Sequence, residues 1–195
     1  MINNYNQLTI KQFLQCKTIA ELEPDPITRK VKMLSSITGH PVDEIESLPI
    51  TVLVRKLKEF SEIESLQPNS KVKMKFKVGG QRFECVWKLQ ELSASQYIEL
   101  CEWTKDKEQI VYNIHKILAS VCVKRTWFGR SKYNGDKHKE VADLFYNQMK
   151  IAQAYPIMLF FCRFFQELAN NMLTYLEDQK DQLSISIHGG DGLQP

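Results

Sequence analysis

The sequence predicts an α+β protein, mostly α-helical, in which one β-hairpin at about residues 72–89 packs against a helical bundle. From Val72 to Val78, apolar residues alternate with lysines, which is the period of a strand with one solvent-exposed face. Gly79-Gly80 follows, and two glycines readily adopt the positive φ that a two-residue turn requires. Apolar residues elsewhere are mostly at helical spacing. Since a lone hairpin is unstable in water, helices are expected to cover its apolar face.

The two-residue turn pairs Val78 with Gln81, and this pair fixes the register of the hairpin. A slip of one residue would place charged side chains in the core, so we expect a single register. The pairs predicted for the apolar face are Phe76 with Phe83, Met74 with Cys85, and Val72 with Trp87. The pairs predicted for the polar face are Lys77 with Arg82, Lys75 with Glu84, and Lys73 with Val86.

Three or four short helices are predicted before the hairpin. Thr9 and Gln12 have the spacing of a capping box. Asp25-Pro26 is typical of an N-cap followed by proline at the first helical position. Gly39 is expected to end that second helix, and Pro49 to begin another.

Helices are also predicted after the hairpin. Ser93 and Gln96 repeat the capping-box spacing, and a further helix with Ile114 and Ile117 on its apolar side is expected to end near Val123. Residues 124–139 have no regular period and contain several turn-forming residues, so we expect a long loop. Helix resumes at residues 140–152, Pro156 is expected to break or kink the chain, and residues 157–179 form the C-terminal helix.

These elements suggest three segments. We expect an N-terminal helical module at residues 1–66 and a main domain, containing the hairpin and the C-terminal helices, at residues 67–182. The polar, glycine-containing stretch at residues 183–195 is predicted to be a flexible tail.

The composition is that of an ordinary globular protein. The 26 basic and 23 acidic side chains give a net charge of +3, which does not by itself indicate nucleic-acid binding. Five scattered cysteines without a Cys-x-x-Cys pair predict reduced thiols in a cytosol. We see no secretory-signal pattern, and the longest apolar run is far shorter than the roughly 18 residues that span a membrane, so a soluble protein without membrane contact is predicted.

The basic, aromatic stretch at residues 124–139 is the first candidate binding site. Cationic and aromatic side chains together can bind phosphates and stack on bases. The candidate nucleic-acid contacts are Lys124, Arg125, Arg130, Lys132 and Tyr133. Alternatively, the stretch is a solvated loop whose aromatic residues, Trp127 and Phe128, pack on the body of the protein or on a partner protein.

The lysine face of the hairpin is the second candidate. Lys71, Lys73, Lys75 and Lys77 lie on one side of a strand. Lysines on an edge strand commonly prevent edge-to-edge aggregation. The other interpretation is a contact with an acidic partner surface.

The C-terminal helix is the third candidate, because its apolar residues cover more than the single stripe that a surface helix needs. Either the helix is central to the domain, or part of it is buried by another chain. The residues predicted to bind a partner there are Phe160, Phe161, Phe164 and Phe165.

No enzyme motif is present in the sequence. The four histidines are far apart, and neither a metal-ligand spacing, a nucleophile motif, a phosphate loop nor a convincing carboxylate pair occurs. We therefore predict no catalytic residue, no cofactor and no metal site. His115 is expected to be a surface or boundary residue of a helix, with its hydrogen bonds satisfied.

Three short motifs follow one another between residues 76 and 119. The hairpin reads Phe-x-Val-x-Gly-x-x-Phe from Phe76 to Phe83. A helix then begins with Leu-Ser-Ala-x-Gln-Tyr-Ile-Glu-Leu from Leu92 to Leu100, and Asn-x-x-x-Ile-Leu-Ala follows from Asn113 to Ala119. With these motifs the chain resembles small tail-assembly and virion structural proteins of tailed bacteriophages, especially phages of Bacteroides-type hosts, including crAss-like phages. The resemblance is tighter over residues 72–119 and looser over residues 8–180.

The resemblance implies a non-enzymatic role in building a tail or virion through protein–protein contacts. The chain would be either an assembly chaperone that leaves or a ring or connector subunit that stays. Its implied partners are other phage tail or virion proteins or a second copy of itself, in the host cytoplasm during assembly or in the virion. The alternative from the residues alone is a nucleic-acid-binding accessory protein that uses residues 124–139. Convergence of these cations with the hairpin lysines in one groove would favour that alternative.

Overall fold

A computed structural model describes residues 7–64 and 72–163 of the chain. The described residues form two compact units, one ending at Met158 and one beginning at Leu159, and each is described by itself. The predicted fold class, α+β and mostly α-helical, is confirmed. Phe164, Phe165 and the predicted tail at 183–195 lie outside the described residues.

The helices are α1 (Ile10–Leu22), α2 (Pro26–Thr38), α3 (Val42–Glu46), α4 (Ile50–Glu64), α5 (Ala94–Thr104), α6 (Ile114–Val121), α7 (His138–Gln148) and α8 (residues 151–163). The strands are β1 (Lys75–Val78), β2 (Gln81–Cys85), β3 (Cys122–Thr126) and β4 (Gly129–Arg130). They form one antiparallel sheet in the order β1-β2-β3-β4.

Local signals in the sequence begin and end the first helices as predicted. The Gln12 amide donates to Thr9 Oγ1 at 3.2 Å, and the Thr9 amide donates back to Gln12 Oε1 at 3.0 Å, which is a complete capping box. Asp25 caps α2 by accepting from the Thr28 amide at 2.7 Å, and Gly39 ends α2 with φ 77°. A small core joins α2 to α3 and α4 through Val31, Leu34 and Ile45, with Val42, Leu48, Leu53 and Leu57 around them.

The start of α1 is attached to the second half of the chain. The Ile10 amide donates to the Met149 carbonyl at 2.9 Å, and the Ile151 amide donates to the Leu8 carbonyl at 2.8 Å. Ile10, Met149 and Ile151 are fully buried. This short two-stranded contact therefore fixes the N-terminal helices against the helices that cover the sheet.

The inner half of the predicted hairpin register is confirmed. Phe76 pairs with Phe83, Lys77 with Arg82, and Lys75 with Glu84, and Gly79 and Gly80 both have positive φ, 56° and 75°. The Cys85 amide donates to the Met74 carbonyl at 2.8 Å, as expected from the same register. The inward side chains of both strands pack under the helices, with the rings of Phe83 and Phe145 in α7 4.8 Å apart.

The outer half of the predicted register is wrong. Val72 and Trp87 do not close an apolar face but are 37% and 47% exposed. Val86 and Lys73 lie outside the paired strands, since β1 begins at Lys75 and β2 ends at Cys85. The Val86 amide donates to the Val121 carbonyl at 2.8 Å, which continues the register of β2 with β3, and Val86 is buried.

The predicted long loop at residues 124–139 is also wrong over its first half. Lys124, Arg125 and Thr126 belong to β3, which pairs with β2, and Arg130 lies in β4. The helix that was expected to end near Val123 ends at Val121, and the strand begins directly after it. No turn residue marks this change, and a charged side chain in β3 interrupts the apolar alternation, so the sequence pattern does not reveal the strand.

The predicted break at Pro156 does not occur, since residues 151–163 are continuously helical. A proline inside a helix costs about 3 kcal/mol through its missing hydrogen bond and its ring. Ala154, Ile157 and Met158 around it are almost completely buried. Their burial offsets that cost.

Candidate protein-binding surface

Two adjacent aromatic side chains at the tip of the β3–β4 hairpin project into solvent. Trp127 is 93% exposed and Phe128 is 98% exposed. The hairpin below them is closed by the pair Thr126–Gly129, where Gly129 has φ 120°. We call Trp127 and Phe128 the aromatic tip. Exposed aromatic neighbours of this size are unusual on a monomer and are typical of binding anchors.

The β3–β4 hairpin, which we call the arm, carries the aromatic tip. A cluster of charged side chains holds this arm in place. Arg130 donates to Glu84 Oε1 from Nε at 2.9 Å and from Nη2 at 2.7 Å. Arg125 donates from Nη1 to Glu84 Oε2 at 3.2 Å, and Arg130 also pairs with Glu91. Glu84 is only 7% exposed. Its two oxygens therefore connect β2 to β3 and β4 and limit the movement of the short arm.

The same cluster perturbs the pKa of its members. Hydrogen bonds from Arg130 lower the pKa of the Glu84 carboxyl below its ordinary value, with partial burial acting in the opposite direction. The hydrogen bond from Arg130 likewise lowers the pKa of Glu91. At neutral pH both acids are ionised, so they compensate the charge of Arg125 and Arg130.

A row of cations crosses the outward face of the sheet. Lys77 in β1 lies opposite Arg82 in β2, and Arg125 in β3 lies opposite Arg130 in β4. The pair Phe83–Lys124 brings Arg82 level with Arg125, so the four side chains form one line across the sheet. We call these residues, together with Lys75, the cationic face.

Four residues of the cationic face, Lys75, Lys77, Arg82 and Arg125, share one groove of about 460 Å³ with Trp127 of the aromatic tip. Its lining includes residues of both hairpins, although the sequence pattern does not predict strands in the second one. The residues that line the groove are Lys75, Phe76, Lys77, Arg82, Phe83, Arg125, Thr126 and Trp127. Arg82 and Glu84 are not among the candidate site residues predicted from the sequence. The like-charge pair Lys77–Arg82 in the predicted register is the signal that could have identified this part of the sheet.

The remaining candidate nucleic-acid contacts do not join this groove. Lys124, Lys132 and Tyr133 line a different depression of about 260 Å³, beside α6 and α7. The Tyr133 hydroxyl donates to Glu99, and burial together with this hydrogen bond raises the pKa of Tyr133. Of the five candidate nucleic-acid contacts, Arg125 therefore lies beside the hairpin cations, and Arg130 is paired with two carboxylates. Lys124, Lys132 and Tyr133 lie apart from this groove.

The aromatic residues of the C-terminal helix have unequal exposure where they are described. Phe161 is buried and Phe160 is half-buried, with the two rings perpendicular and 5.3 Å apart. Phe164 and Phe165 lie outside the described residues. Of the predicted partner-binding residues in the described part of the chain, Trp127 and Phe128 are thus far more accessible than Phe160 and Phe161.

A second cleft, of about 860 Å³, is lined by α1, α2, α6 and α7 and contains His115. Burial lowers the pKa of His115 to about 4, so the ring is neutral at pH 7. Its Nδ1 has no hydrogen-bond partner among the described residues, which corrects the expectation of a satisfied histidine. Within residues 7–64 and 72–163, no group of three or more His, Cys, Asp or Glu side chains could hold a metal ion.

No helix in the described part of the chain is long and apolar enough to cross a membrane. Comparison with protein-family models, curated proteins and solved structures finds no significant match to this chain.

Proposed function

We propose that this chain is a non-enzymatic protein of a tailed bacteriophage that acts in tail assembly or virion structure by binding other proteins. The observation that carries the proposal is the aromatic tip. Trp127 and Phe128 contribute nothing to the core at 93% and 98% exposure, yet solvating two large apolar side chains is unfavourable. A partner protein that buries both side chains would remove this cost.

The geometry of the arm supports the same proposal. The contacts of Arg125 and Arg130 with Glu84 hold β3 and β4 in place before any partner arrives. A preordered anchor loses less conformational entropy on binding than a flexible one. The small, rigid arm therefore suits insertion into a pocket of a neighbouring subunit.

One observation favours the second candidate, a nucleic-acid-binding accessory protein. Arg125 shares a groove with Lys75, Lys77 and Arg82, and Trp127 lies at its edge. Cations beside an aromatic ring can bind the backbone and stack on a base. Two observations disfavour this candidate. Glu84 and Glu91 already neutralise part of the positive charge. Lys124, Lys132 and Tyr133 line a different depression.

Photo-cross-linking tests the proposal. Phe128 is replaced by p-benzoylphenylalanine in infected cells, and the same amino acid at Lys107, an exposed position in the turn between α5 and α6, serves as the control. We expect position 128 to cross-link to one tail or virion protein, or to a second copy of this chain, and position 107 to give none of that product. Equal products at both positions, or cross-links only to nucleic acid, would contradict the proposal.

Quantitative mass spectrometry of purified particles beside the lysate separates the two roles. A copy number in particles that is a multiple of a ring symmetry identifies a ring or connector subunit. Abundance in the lysate with absence from particles identifies an assembly chaperone. Absence of any association with phage proteins in both samples would contradict the proposal as a whole.

A further inference from the structure

We infer that the cationic face binds an acidic segment of the partner protein whose apolar side chains cover the aromatic tip. This inference rests on the proposed function, since it names the class of partner for the same surface. It is carried by the arrangement of charge on the sheet and by the shared groove.

The first step is that three cations of this face form no ion pair among the described residues, although Lys75 lies opposite Glu84 in the sheet. Arg125 and Arg130 form ion pairs with Glu84 or Glu91. Within the described ranges, Lys75, Lys77 and Arg82 form no ion pair of their own. The unpaired charge is therefore concentrated at the β1–β2 end of the row.

The second step is that the fold does not require this arrangement. Lys77 and Arg82 lie directly opposite each other, one position from the turn-closing pair, where antiparallel side chains approach most closely. Like charges in such a pair destabilise the sheet. Protection of an edge strand would explain lysines in β1, but Arg82 lies in β2, which is paired on both sides.

The third step concerns the occupant. Adjacent strands are about 4.8 Å apart, so the row of four cations extends over about 14 Å, the length of a few extended residues. Carboxylates of a short acidic segment can reach Lys75, Lys77 and Arg82, while neighbouring apolar residues contact Trp127 at the edge of the same groove.

A nucleic acid fits this surface less well. Trp127 at the groove edge could stack on a base, but the outward positions of the described strands carry no aromatic side chain on which further bases could stack. A nucleic-acid backbone lying along the row would also bring phosphates near Glu84 and Glu91, whose negative charges would repel them. Charge complementarity therefore favours a compact acidic segment.

The test uses the full chain and two probes, an oligoglutamate peptide and an oligothymidylate of equal charge. Binding is followed by NMR shift changes at low salt. The test variant combines Lys75→Gln, Lys77→Gln and Arg82→Gln, and the control combines Lys11→Gln, Lys58→Gln and Lys107→Gln, which removes the same charge from exposed positions outside the sheet. We expect peptide-induced shifts at residues 75–84 and at Trp127, about tenfold weaker binding in the test variant, and little change in the control.

Several outcomes would overturn the inference. These are peptide-induced shifts that are absent or lie elsewhere, equal weakening in both variants, and oligothymidylate binding about tenfold tighter through the same residues. Unfolding of each variant by urea excludes a folding defect as the cause. If position 128 cross-links to a virion protein but the test variant binds the peptide normally, the inference fails and the proposed function stands. If the peptide binds as expected but position 128 captures no phage protein, the proposed function fails separately.

Discussion

The sheet ends in two hairpin turns with opposite chemistry. The β1–β2 turn consists of Gly79 and Gly80, and a Cβ at Gly79 would lie 2.7 Å from Leu144 Cδ1 and 2.9 Å from Gln148 Oε1 of α7. The β3–β4 turn consists of Trp127 and Phe128, which are exposed almost completely. Positive φ dictates glycine at both positions of the first turn, whereas no packing contact dictates the size of the residues in the second.

This difference separates structural from functional sequence in one small sheet. At the first turn, glycine is the residue that fits the backbone and the space. At the second, the fold would tolerate small polar residues, so the presence of two large aromatic residues needs another reason. The proposed binding to a partner would provide that reason.

Substitution in the glycine turn is expected to have the largest effect on stability. Gly79→Ala adds a methyl group at a residue with φ 56°, so we expect a loss of about 2 kcal/mol in the free energy of unfolding, mostly from backbone strain. The flexible ends of the Leu144 and Gln148 side chains must also move aside, which adds a small cost. Urea denaturation, monitored by circular dichroism, measures this loss.

Gly80→Ala is the matched control for this prediction. Gly80 has φ 75°, but a Cβ there meets nothing within 4 Å, so only the backbone strain of about 1–2 kcal/mol remains. Equal losses for both variants would show that contact with α7 does not determine the residue at Gly79.

Removing the charge of Glu84 is expected to have an intermediate effect. Glu84→Gln leaves Arg125 and Arg130 without their shared carboxylate, so we expect a loss of about 1–2 kcal/mol in the free energy of unfolding at neutral pH. Glu91→Gln, which removes only one exposed contact of Arg130, should cost clearly less.

The effect of Glu84 should also depend on pH. Folding lowers the pKa of Glu84 below its ordinary 4.5, so the unfolded chain takes up the proton at a higher pH than the folded chain does. The contribution of Glu84 is therefore complete above about pH 4.5 and is lost as the pH falls through the folded pKa. The difference between the wild type and Glu84→Gln should shrink on acidification, and a constant difference would contradict the assignment.

Substitution of the aromatic tip is expected to have the smallest effect on stability. Trp127→Ser with Phe128→Ser removes no buried surface, so the free energy of unfolding should stay within about 0.5 kcal/mol of the wild type. A larger loss, measured by the same urea titration, would mean that the tip is structural and would remove the contrast between the two turns.

The sequence was sufficient where short-range rules decide the structure. The capping boxes at Thr9 and Ser93 and the glycine turn that sets the register of Phe76 and Phe83 are all present as predicted. Each depends on residues a few positions apart, whose geometry is nearly independent of the rest of the chain.

The sequence was insufficient where distant residues decide it. β3 exists because Cys122 and Val123 add to the edge of β2, about 40 positions earlier in the chain, and Arg125 is accommodated there through Glu84. The candidate surface could be predicted only in pieces. Trp127, Phe128 and the lysines were recognised, but their common groove and the role of Glu84 depend on the pairing of β2 with β3.

The most direct test of the account is complementation of a phage that lacks this chain. The variant with Trp127→Ser and Phe128→Ser is compared with a control that carries Leu22→Ser and Ile98→Ser, two exposed apolar residues outside the sheet. We predict that the yield of infectious particles collapses for the tip variant, despite normal stability and normal amounts of protein, and is retained by the control. A normal yield from the tip variant would contradict the central claim that the aromatic tip binds a partner during assembly.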